Sequence, residues 1–134
     1  MTRPVIPLAI IAAVVTTVAF TRTSLAVQHL PGTIVTVRMV RDSAGMRFSP
    51  SKIVAHPGDT LRFVNGAGRH NVDFVVDSNP RNVVLPRATP LLEKEGATVD
   101  IPVDLPPGRY YIQCDPHAEM GMVGHVIVER KRAR

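Results

Sequence analysis

From Thr33 to Val40 apolar and polar side chains alternate, with Val35, Val37 and Met39 on one face and Thr36 and Arg38 on the other, the period of a half-buried strand. Met46 to Asn65 predicts a short extended piece, a Pro57-Gly58-Asp59 turn and a further strand that carries Leu61 and Phe63 inward. After Gly66-Ala67-Gly68, the residues His70, Val72, Phe74 and Val76 share one parity and predict another strand with His70 facing the core. Asn79 to Glu95 holds three prolines and little periodicity, and reads as a long connection with at most one helical turn around Leu91 to Lys94. Ala97, Val99, Ile101 and Val103 alternate with polar or proline positions, and Asp104 to Gly108 turns the chain back. Tyr110, Ile112 and Cys114 then face inward, and Val126 and Val128 do so in a last strand from Val123 to Glu129, which puts His125 on the solvent side. The sum is seven to eight short strands separated by turns, an all-β chain with the profile of a β-sandwich.

Composition agrees and narrows the picture. A chain of 134 residues with 12 prolines and 9 glycines is one domain, long enough for a single core. Its net charge of +5 is concentrated at the ends. Without Arg3, Arg22, Arg130, Lys131, Arg132 and Arg134, ten basic side chains face eleven acidic ones, so the body is nearly neutral. It lacks the basic stripe of a nucleic-acid binder. Residues 1–26 combine Arg3, an apolar run from Val5 to Phe20 and a Ser24-Leu25-Ala26 cleavage pattern, which predicts a signal peptide or an N-terminal membrane anchor. The protein is therefore expected to be exported, to a periplasmic or other extracytoplasmic compartment, with residues 5–20 as a membrane tether if they are retained. The folded domain is expected over residues 27–129. Residues 130–134 form a basic tail whose charges would act on encounter with an acidic partner.

The chemistry is concentrated in one loop. Cys114, the only cysteine, is followed by His117 and Met122 in a Cys-x2-His-x4-Met run. Thiolate, imidazole and thioether together suit a soft, redox-active metal, and copper takes all three. One cysteine is too few for a structural zinc site or for the Cys-x-x-Cys-His of a c-type haem. A catalytic cysteine is usually paired with a histidine from a distant part of the chain rather than from the same loop. In an oxidising compartment a lone thiol is a liability unless it is buried or ligated. A blue-copper centre needs a second histidine, and the core-facing parity of His70 makes it the candidate; His29, His56 and His125 read as solvated. Met120 and Met122 compete for the axial position. Met122 is preferred because Gly121 before it lets the loop turn back into the last strand. Ligands bounded by core strands favour a one-electron carrier over a copper-trafficking or storage protein with loose, exposed ligand clusters. No second metal site or substrate-pocket motif suggests an enzyme.

Met46-x-Phe48-x-Pro50, Pro57-Gly58-Asp59-Thr60, Gly68-Arg69-His70-Asn71 and Tyr110-x-Ile112-x-Cys114-x-Pro116-His117-x-x-Met120-Gly121-Met122 resemble the small blue-copper proteins, the cupredoxins of plastocyanin and pseudoazurin type. The resemblance covers roughly Met46 to Glu129. It implies a Greek-key sandwich holding one type 1 copper on His70, Cys114, His117 and Met122, a monomer that passes single electrons between larger redox partners. It also implies that Asn71 supports the ligand loop and donates to the cysteine sulfur, and that Pro116 removes an N–H donor near it. Gln113 stands where plastocyanin has an exposed tyrosine, and no acidic run like that of plastocyanin is present.

Overall fold

The structure, a computed structural model, describes residues 32–130. The expectations for residues 1–26, for His29 and for residues 131–134 of the basic tail lie outside the described residues. Seven strands form two sheets: β1 (Ile34–Asp42), β2 (Gly45–Ser49), β3 (Lys52–Ala55), β4 (Thr60–Asn65), β5 (Thr98–Pro102), β6 (Gly108–Gln113) and β7 (Val123–Val128). One sheet has the order β2-β1-β4-β5 and the other β3-β7-β6. The β1–β4 and β3–β7 pairs are parallel and the rest antiparallel. Parallel neighbours cannot be joined by a tight hairpin, so the chain crosses between sheets at each of these pairs.

Alternation along each strand decides which side chains meet between the layers. In β4 every second residue is buried, and the same holds in β7. Val37, Phe48, Phe63, Ile112 and Val126 are at most 1% exposed. Phe48 meets Phe63 edge-on with ring centroids 5.8 Å apart, the geometry that aromatic quadrupoles favour. Each such side chain stabilises the fold by about 1.5–3 kcal/mol relative to exposure.

One expectation is corrected. The stretch from His70 to Val76 is not a strand; it makes only single bridges, His70 with Leu92 and Asp73 with Gln113. Its parity holds for His70, Val72 and Phe74, all at most 1% exposed, but fails at Val76, which is 68% exposed and opens a 3-10 turn, Val76–Ser78. The reason lies at the edge of β6. There the side chain of Asn79 substitutes for a neighbouring strand: its Nδ2 donates to Tyr111 O at 2.9 Å and to Val75 O at 2.8 Å, and its Oδ1 accepts from Tyr111 N at 2.8 Å. A side-chain amide thus closes an edge that would otherwise present unpaired backbone groups. The connection from Asn79 to Glu95 is irregular, as expected, with Leu92 extended and paired with His70.

At the opposite end from His70, Asp59 ties the entry of β1 to the β3–β4 turn. It is 3% exposed and accepts hydrogen bonds from Thr33 N at 2.9 Å and His56 N at 2.8 Å, with His56 Nδ1 at 3.4 Å. Burial works against its charged form, but these donors outweigh burial and hold the carboxyl below its ordinary value. A depressed carboxylate pKa stabilises the fold above the unfolded-state value, and that contribution disappears as pH falls through the folded-state value. Asp59→Asn is expected to lower the stability of the copper-free protein by about 1–3 kcal/mol at pH 7 and to flatten the acid limb of its stability curve. Urea midpoints measured between pH 7 and pH 3 check both effects.

Candidate metal centre

The ligand loop begins at Cys114, the residue after β6, which keeps that strand's inward parity and is fully buried. It then runs through a 3-10 turn, Asp115–Met120, a feature the sequence pattern did not reveal. Pro116 lies in the first turn of it, where a missing N–H breaks no hydrogen bond. Gly121 closes the turn at φ 88°, a left-handed conformation natural to glycine, and its N–H caps Ala118 O at 2.9 Å. That reversal returns Met122 to the core. Its N–H donates to His117 O at 3.1 Å and its carbonyl accepts from Cys114 N at 3.0 Å. Met122 is 0% exposed, whereas Met120 is 61% exposed.

His70 comes from the other side of the sandwich, held by its bridge to Leu92. Its Nδ1 lies 3.1 Å from His117 Nδ1 and 3.6 Å from Cys114 Sγ, and His117 Nδ1 lies 3.4 Å from the same sulfur. His70 and Cys114 are buried and His117 is half-buried, with its ring edge-on to that of His70 at 4.9 Å. Of the other histidines among the described residues, His56 is at the far turn and His125 packs on Tyr111 on the outer face of the second sheet, so neither joins the cluster. The structure therefore brings together His70, Cys114 and His117, and buries Met122 on the adjoining backbone.

The protonation chemistry of the cluster fits a cation at its centre. His70 Nε2 is 2.7 Å from Ala67 O, so the ring hydrogen belongs on Nε2 and Nδ1 presents a lone pair. Burial pushes the His70 pKa down, against the pull of the Ala67 carbonyl, and the neighbouring His117 also opposes a positive charge. The imidazole is thus kept in its neutral, ligating form. Burial pushes the Cys114 thiol up, while the backbone N–H groups of Asn71 and His117 pull it down and Asp115 raises it. Two ring nitrogens and a sulfur at this separation surround a point that a positive ion can occupy. A trigonal ion with bonds of about 2.0 Å to nitrogen and 2.3 Å to sulfur would space its donors by about 3.5–3.7 Å. The observed distances are slightly shorter, a triangle of the right size for a transition-metal ion.

A polar strap joins the two sides. Asn71, next to His70, donates from Nδ2 to Asp115 Oδ2 at 2.6 Å and accepts from Asp115 N at 2.8 Å on Oδ1. Asp115 Oδ1 accepts from Gln113 Nε2 at 3.0 Å. The expected support of the ligand loop by Asn71 is thereby given a route: its side chain grips the residue after Cys114. Asp115 escaped the sequence analysis, because an acidic residue on an exposed loop carries no signal of a partner forty-four positions away.

Seven strands in two sheets among the described residues, with a Cys-His-His cluster at one end, define a small β-sandwich protein for a soft metal. Comparison with known proteins agrees. The pattern described as copper binding proteins of the plastocyanin/azurin family matches residues 35–129. The chain is 34% identical over 97 residues to chloroplastic plastocyanin of Chlamydomonas reinhardtii, across 70% of this chain and 66% of that one. It is 35% identical over 100 residues to plastocyanin of Nostoc punctiforme, across 69% and 72% of the two chains. Among solved structures it is similar to pseudoazurin from Methylobacterium extorquens AM1, with a TM-score of 0.56 and 27% identity over 73% of this chain and 78% of that one. The chain belongs to the plastocyanin/azurin family of copper-binding proteins, and its Greek-key cupredoxin fold is the one expected.

Asn71→Ala removes both bonds between the His70 and Cys114 segments. The expected cost is about 1–3 kcal/mol in the copper-free protein, read as a lowered urea midpoint with an unchanged m-value.

Proposed function

We propose that the protein is a one-electron carrier whose copper is held by His70 Nδ1, Cys114 Sγ, His117 Nδ1 and, more weakly, Met122. The observation that carries this reading is the convergence of the first three atoms, all within 4.8 Å of one another, at the buried end of a rigid sandwich. Bound copper would supply the chemistry, a single electron gained as Cu(II) becomes Cu(I) and lost on return, with a weak axial thioether. The chain does the rest. The end of β6 holds Cys114 and the bridge to Leu92 holds His70, so that little has to rearrange between the two redox states. His70 keeps its ring hydrogen on Ala67 O, so ligation needs no proton rearrangement on that ring. Half-buried His117 lies closest to solvent and is the exit and entry point for the electron.

The carrier reading is preferred over copper trafficking or storage because the ligand atoms are buried and pre-shaped rather than exposed. The protein is not an enzyme: its task is to accept an electron from one redox protein and deliver it to another. It works as a monomer in a periplasmic or other extracytoplasmic compartment, after export directed by residues 1–26, which either leave as a signal peptide or stay as a tether. Among the described residues no helix is long and apolar enough to cross a membrane.

Purified residues 27–134 with added Cu(II) are expected to give an intense blue thiolate-to-copper band that bleaches with ascorbate. Cys114→Ser should abolish it and His70→Ala should disrupt it, while His56→Ala and His125→Ala leave it as in the unmodified protein. A colourless complex that takes up only Cu(I) would instead mark a trafficking protein. Met122→Leu should shift the reduction potential strongly while copper is retained, and Met120→Leu should shift it little. Voltammetry of the two nearly volume-conserving variants decides between them, and the reverse order would make Met120 the axial ligand.

A further inference from the structure

Asn65 ends β4 and is 1% exposed. Its backbone N–H donates to Ala97 O at 2.8 Å and its carbonyl accepts from Gly96 N at 2.7 Å. Its side-chain nitrogen lies 2.8 Å from Gly68 O, 3.1 Å from Leu92 O and 3.1 Å from Lys94 O. Three carbonyl oxygens around one atom require that atom to be the amide nitrogen, since the flipped amide would set oxygen against oxygen. Oδ1 on the other side is buried and has no hydrogen-bond donor among the described residues. An unpaired buried acceptor is costly. The position carries that cost together with a donor shared by two separate segments.

Both segments belong to His70. Gly68 lies in the turn immediately before it. Leu92 forms its only backbone bridge, with His70 N to Leu92 O at 3.1 Å and Leu92 N to His70 O at 2.8 Å. The same turn supplies Ala67 O, which holds the ring through Nε2 at 2.7 Å and so aims Nδ1 at Cys114 Sγ. The turn is packed tightly enough for its placement to matter. A Cβ on Gly66 would lie 2.8 Å from Met39 O, and one on Gly68, at φ 93°, would lie 3.2 Å from His70 Nε2. Asn71 fastens the Cys114 side of the centre. Nothing in that strap fixes the turn that orients the His70 ring.

We infer that Asn65 is a positioning residue for the copper centre: its side-chain amide clamps the Gly66–Gly68 turn to the Leu92–Lys94 segment and thereby sets the direction of His70 Nδ1. This rests on the reading of His70 as a ligand. Asn79 is the control, because its amide is also buried and makes three hydrogen bonds, but to Val75 and Tyr111, away from the His70 turn.

The test compares Asn65→Ala with Asn79→Ala. In the copper-free state, Asn65→Ala should speed hydrogen exchange of the His70 backbone amide roughly tenfold, the weight of about one hydrogen bond, whereas Asn79→Ala leaves it at the wild-type rate. Loaded with Cu(II), Asn65→Ala should show an altered copper hyperfine splitting and a shifted thiolate-to-copper band, and Asn79→Ala neither. Matching behaviour of the two variants in exchange and spectra, with only stability lost, would overturn the inference. Should Asn65→Ala fail to fold, the wild-type protein decides: the Asn65 side-chain amide protons should be protected to a degree similar to the His70 amide, and exchange as fast as that of an exposed amide would overturn it. A His70→Ala protein that keeps the wild-type blue band refutes the ligand assignment itself. Loss of the band in His70→Ala with a spectrally silent Asn65→Ala refutes the clamp alone.

Discussion

His70 Nδ1, His117 Nδ1 and Cys114 Sγ converge to within 3.1 to 3.6 Å of one another, three metal-ligating atoms crowded into one small volume. Water would normally solvate such groups, but His70 and Cys114 are buried. The sandwich withholds that solvent and also prevents the groups from separating. The affinity of the site for a soft cation is the counterpart of this enforced crowding, which the rest of the fold has to hold in place.

Two kinds of restraint supply that hold. The first is the core: Cys114 follows Ile112 on the inward face of β6, so displacing the sulfur would disturb side chains packed between the sheets. Cores pack as densely as organic crystals and do not yield gradually. The second is a set of asparagine side chains acting as pieces of backbone. Asn79 seals the edge of β6, Asn71 binds Asp115, and Asn65 gathers the carbonyls of Gly68, Leu92 and Lys94. Each substitutes for regular strand pairing where the chain cannot run as a strand, which is how a long irregular connection from Asn79 to Glu95 remains compatible with an ordered metal centre.

For an electron carrier these restraints have a direct use. Ligands that cannot move far between two oxidation states keep the rearrangement accompanying each transfer small. Exposure is confined to one side, where His117 is half-buried and Met120 stands out into solvent. Away from its ends the chain is nearly balanced in charge.

Much of this architecture was legible in the residues taken alone. Alternation in β1, β4, β5, β6 and β7 is a local property, written every second residue, and it carries the sheet faces with it. Cys114, His117 and Met122 could be read because one short loop carries them, and His70 because its parity matched that of Val72 and Phe74. Tertiary structure decided what depends on distant partners. The segment after His70 forms bridges instead of a strand because Asn79 occupies the edge of β6, and Val76 turns outward there. Met122 is buried and Met120 exposed because a 3-10 turn ending in left-handed Gly121 carries the chain back beneath Cys114. Asp115 and Asn65 bond to groups far along the chain, and a hydrogen bond across such a separation leaves no periodic trace in sequence. It forms only when the folded sheets bring donor and acceptor within about 3 Å.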